Sequence, residues 1–116
     1  MAFVVASTRE EGGRVSRDAG EGDAILTEVR SRIDALDDRL VDLLAERFAA
    51  VADAARLKQP HGIPPLTPRR FAAVLARVMA RAERRGLDPA SARRIWGAVH
   101  EEALRIEARV MAGRET

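Results

Sequence analysis

Leu26-Thr27-Glu28-Val29-Arg30-Ser31-Arg32-Ile33-Asp34-Ala35-Leu36-Asp37-Asp38-Arg39-Leu40-Val41-Asp42-Leu43-Leu44-Ala45-Glu46-Arg47 is the stretch that decides the fold. Its apolar residues fall at 26, 29, 33, 36, 40 and 43, and the same spacing of three and four continues through Ala50, Ala54 and Leu57. No Gly or Pro interrupts it between Asp23, a candidate N-cap, and Pro60. That periodicity is one face of a helix, and not the alternation of a strand. A helix of about 34 residues is roughly 50 Å long. The short helices of the remaining chain cannot cover it, so the stripe implies a coiled-coil-like partner.

Working outward, residues 1–22 mix Gly, Ser, Arg and Glu without periodicity and read as a disordered tail ahead of a helical domain over 23–113. On the other side, Gln59-Pro60-His61-Gly62-Ile63-Pro64-Pro65-Leu66 reads as a loop stiffened by three prolines. Thr67-Pro68 is an N-cap followed by proline at the first helical position, and it opens a second helix through Phe71, Val74, Leu75 and Val78. Gly86 closes that helix. Asp88-Pro89 repeats the start signal for a third, with Ile95, Trp96, Val99, Ala103, Ile106 and Val110 on its apolar face. The fold class expected is all-α, with three helices per chain.

Composition narrows the function. At 116 residues there is room for one domain, whose core is small enough to gain from being shared with a second copy. The absence of Cys removes thiolate nucleophiles, disulfides and Cys-ligated zinc, and His61 and His100 have no metal-like spacing to carboxylates. No metal or cofactor is expected. No apolar run approaches a membrane span, and the opening Met1-Ala2-Phe3-Val4-Val5-Ala6 is too short for a secretory core, so a cytoplasmic location is expected. The pI of about 10.3 arises because few groups titrate between neutrality and pH 10, the net charge being only +2. Charge is segregated: 69–85 carries six Arg and one Glu, whereas 23–57 carries eight acids and five Arg. An Arg-rich helix can contact phosphates, but base-stacking aromatics are nearly absent and no helix-turn-helix spacing occurs, so nucleic acid is not expected.

Several residues break the pattern. Arg47 stands where the seam calls for Leu; it is either a register-setting ion pair with a partner helix or the wall of a cavity that takes an anion. Lys58 lies three turns on, within about 20° of the same face, and is the single Lys beside nineteen Arg. A lone ammonium in such a chain suits a site that wants a compact charge, although a helix C-terminus favours any cation. Arg30 is about 25 Å from Arg47 along the axis, so the two can share a small ligand only if Arg30 comes from an antiparallel second copy. Arg70 lies in the first turn of the second helix, where the dipole disfavours a cation unless an anion is bound. Glu107, on the edge of the stripe with Trp96 and His100, is either a surface carboxylate paired with Arg or a buried one.

Taken together, these residues resemble the all-helical chorismate mutases. Arg30 before Ile33-Asp34-Ala35-Leu36-Asp37, then Leu43-Leu44-Ala45-Glu46-Arg47, Lys58 with His61-Gly62-Ile63-Pro64, Arg70, and Gly86-Leu87-Asp88 are similar to successive blocks of that family, in order, over about residues 24–110. The resemblance implies an intertwined homodimer with two equivalent sites that rearranges chorismate to prephenate by a [3,3] shift. It implies that Arg30 from the other subunit, Arg47 and Arg70 bind the substrate carboxylates. Lys58 would donate to the ether oxygen, and Glu107 would face the same oxygen, with Thr67, Phe71 and Ala103 lining the site. A carboxyl in that place donates only when protonated, so activity is expected to fall as pH rises and Glu107→Gln to flatten the dependence.

Two positions depart from the family pattern. Phe71 stands where many members have Glu, which reads the ring hydroxyl, and Thr67 where Asp is common. Isochorismate pyruvate lyases and 4-amino-4-deoxychorismate mutases share an apolar residue at the first position. The latter are also similar in the His61-Gly62-Ile63-Pro64 loop and the Arg105-Ile106-Glu107 ending. Chorismate is expected ahead of the amino analogue, and the lyase reaction third; an inactive helical interaction module is the alternative outside enzymes.

Overall fold

A computed structural model describes residues 16–113 of the chain, with side chains from residue 22, and among the described residues every regular element is helical. Helix α1 (Ser16–Lys58) runs into a single 3-10 turn (Gln59–His61), followed by α2 (Pro68–Arg84) and α3 (Pro89–Met111). The three helices agree with the sequence pattern. The start of the first does not. Residues 16–22 are helical rather than part of a tail, so Asp23 is an interior residue and not an N-cap. Once a long helix is nucleated, each added residue gains a backbone hydrogen bond without a new nucleus, which carries α1 past Gly22. Asp23 instead ion-pairs with Arg30, two turns on. The remainder of the expected tail, residues 1–15, lies outside the described residues.

The chain divides between Asp42 and Leu43, inside α1, into two compact units. In the first unit the apolar stripe is open to solvent: Leu26, Val29, Ile33, Leu36 and Leu40 are each 40–55% exposed. Large apolar side chains at this spacing stabilise little while they face water.

The second unit holds the rest of α1, α2 and α3. Its buried apolar residues are Ala55, Val74, Ala82, Ala92, Val99, Ala103 and Val110, all small, which lets helix backbones approach closely. The ends follow the sequence signals. Thr67 Oγ1 accepts from the Arg70 N–H at 3.2 Å with Pro68 at the first position, and Asp88 Oδ1 accepts from the Ala90 N–H at 3.1 Å ahead of α3. Gly86, at φ 77°, terminates α2 by placing the Leu87 N–H on the Ala82 carbonyl at 2.8 Å. Gly62, at φ 67°, does the same for the end of α1, with the Ile63 N–H on the Lys58 carbonyl at 3.1 Å. Gln59 Nε2 then donates to the Met111 carbonyl at 2.8 Å and ties this turn to the end of α3.

Candidate functional site

The largest fully buried side chain among the described residues is a charged one, Glu107, at 1% exposure. A buried carboxylate is costly unless both oxygens are satisfied. Here they are: Lys58 Nζ donates to Oε2 and the Leu66 backbone N–H donates to Oε1, each at 2.7 Å. The local sequence brings this about. Lys58 is the last residue of α1, where the helix dipole favours a cation. Gly62 closes the turn after α1, and the stretch that follows brings the Leu66 N–H to Glu107. The surface-carboxylate reading of Glu107 is therefore overturned. In this arrangement each of its oxygens accepts one hydrogen bond.

Arg47 occupies the wall of two cavities. A small one, of about 10 Å³, is lined by Arg47, Leu66, Phe71, Val74, Trp96 and His100. A larger one, of about 320 Å³, is lined by Arg47, Trp96 and Leu87, by Arg77 and Arg81 of α2, and by Arg85 at the cap of that helix. Arg77 and Arg81, one turn apart on α2, and Arg85 at its C-cap recur every four residues. Burial lowers the pKa of Arg47, and the positive charges of Arg70 and Arg77 lower it further. Its Nη1 is buried with no hydrogen-bond partner, as is Nδ1 of His100. An unpaired guanidinium nitrogen among other cations is an arrangement suited to an anion.

The second unit thus joins Lys58, Glu107 and Leu66 through hydrogen bonds, and Leu66 joins Arg47 and Phe71 at the small cavity. Ala103 is buried on α3, one turn before Glu107. Arg70 is exposed and acts on Arg47 through its charge, and the Thr67 hydroxyl serves as the α2 cap. Arg30 belongs to the first unit, where Asp23 holds it. Lys58, Glu107 and Arg70 are not among the residues lining the larger cavity. Two features escaped the sequence reading: the role of His100, and Arg77, Arg81 and Arg85 as a cavity wall. His100, Ala103 and Glu107 are spaced by three and four on α3, and that spacing was the available signal for His100.

Comparison with known proteins follows the same lines. A T-protein of Enterobacter agglomerans is 41% identical over 66 residues, which is 57% of this chain and 18% of the relative. The 4-amino-4-deoxychorismate mutase of Streptomyces venezuelae is 32% identical over 87 residues, covering 75% of this chain and 84% of the relative. A chorismate mutase of Methanocaldococcus jannaschii is 32% identical over 63 residues, covering 54% and 64%. The chain therefore spans less than a fifth of the T-proteins that it matches, 18% of one and 17% of another. No solved structure matches. The pattern of chorismate mutase type II matches residues 29–108, which takes in α2 whole, most of α1 and α3, and the Lys58–Glu107 pair, and the chain belongs to that family.

Proposed function

We propose that the chain is a chorismate mutase, converting chorismate to prephenate within a homodimer. The observation that carries this is the part-buried Lys58–Glu107 pair, linked through Leu66 to the cavity in which the Arg47 guanidinium has an unfilled donor. In the rearrangement the ether C–O bond breaks as a C–C bond forms, with no change of oxidation state and no group lost. The protein's task is to hold the folded conformer and to stabilise the negative charge that grows on the ether oxygen. An ammonium has three donors. Lys58 can keep one on Glu107 and turn another to the ether oxygen, which makes Glu107 the residue that positions Lys58. Arg47, Arg70 and a second copy's Arg30 bind the two carboxylates, with Thr67, Phe71 and Ala103 around the ring.

The exposed stripe from Leu26 to Leu40 supports the second copy, since apolar rows of that length are covered in stable proteins. Arg30 is then supplied across the interface. Mixing tests this directly. Arg30→Ala and Arg47→Ala are each inactive, but a mixed dimer has one intact site, so a random mixture recovers about a quarter of wild-type activity. Loss of chorismate absorbance in the ultraviolet is the readout. No recovery on mixing would exclude a shared site, and no turnover by the wild-type chain would exclude the mutase. The 32% identity to a 4-amino-4-deoxychorismate mutase over 84% of its length favours one second reading, with the amino analogue as substrate.

A further inference from the structure

Two buried side-chain nitrogens among the described residues have no hydrogen-bond partner, Arg47 Nη1 and His100 Nδ1, and both residues line the same small cavity. The other residues around it are Leu66, Phe71, Val74 and Trp96. At about 10 Å³ the space admits roughly one water-sized group. It is the recess for one polar substituent of a ligand, not the seat of a whole molecule. Phe71 stacks on the imidazole with ring centroids 3.7 Å apart and planes at 12°, so the plane of the ring is set by packing.

Given the proposed reaction, on which this inference rests, the substrate's polar groups can be matched to the residues that remain unfilled. Two carboxylates require cations, and the ether oxygen falls to Lys58. The ring hydroxyl is left, and so is His100. We propose that His100, through Nδ1, reads the ring hydroxyl and selects a neutral hydroxyl over the ammonium of the amino analogue. A hydroxyl can both donate and accept, so it suits either imidazole tautomer and can also accept from Arg47. An ammonium can only donate. It would leave the Arg47 nitrogen unpaired and would bring a further positive charge against Arg47, on which the charges of Arg70 and Arg77 already act. Phe71 therefore acts as the backing for the imidazole that makes the contact.

The experiment compares kcat/KM of the full chain for chorismate, its 4-deoxy analogue and the 4-amino analogue, in wild type, His100→Leu and His100→Asn. Wild type is expected to favour chorismate over the amino analogue by at least about tenfold. His100→Leu is expected to cut the ratio of chorismate to 4-deoxy turnover about 10- to 100-fold, and His100→Asn to restore part of it. An unchanged ratio in His100→Leu, with both substrates losing equally, would assign His100 a structural role and overturn the proposal alone. So would a wild-type preference for the amino analogue. Turnover of none of the three by wild type would remove the mutase reading as well, and so differs from the other failures.

Discussion

At the scale of single residues, Glu107 shows how a contact reassigns a role. As the acceptor for the Lys58 ammonium and the Leu66 N–H, it fixes where Lys58 points. Lys58→Arg is no conservative change, because a planar fork cannot keep one donor on Oε2 and aim another as an ammonium can. Arg47 carries the opposite tension. It is desolvated and repelled by Arg70 and Arg77, with one nitrogen unfilled. Arg47→Met is expected to raise the thermal midpoint of the free protein while lowering kcat/KM about 10²- to 10³-fold. A melting scan beside steady-state assays measures both. Such sites conflict with stability because they are shaped for a charge that arrives only with the ligand.

At the scale of elements, the parts written in local chemistry were legible. Thr67-Pro68 and Asp88-Pro89 start α2 and α3, and Gly86 ends α2, because capping and a positive φ depend on a few adjacent residues. Ser16 was not legible as a start, since helix extension is cooperative and leaves little trace in composition. The approach of Glu107 to the Leu66 N–H joins residues 41 apart and follows from packing, which no local window contains. The 3–4 stripe of α1 was read correctly as apolar, and its exposure calls for a test at this level. Leu36→Asp places a charge in the middle of the stripe and is expected to yield a monomer by sedimentation, with activity reduced at least 100-fold. A dimeric, active variant would show that the stripe is not the interface.

At the scale of the molecule, charge is partitioned. Acids dominate residues 23–57 and arginines residues 69–85, and Arg47, Arg77, Arg81 and Arg85 converge on one cavity. A dianion is drawn toward such a field, and salt screens it over about 10 Å at 0.1 M. KM is expected to rise several-fold between roughly 0.05 and 0.5 M salt with kcat nearly constant, as steady-state assays at both strengths would show. No helix among the described residues is long and apolar enough to cross a membrane. If copies pair as proposed, an unpaired chain shows quality-control proteases a greasy flank that the paired form hides. Under the proposed pairing, a cell that makes little of this protein loses a larger fraction of it, and catalytic capacity climbs faster than synthesis.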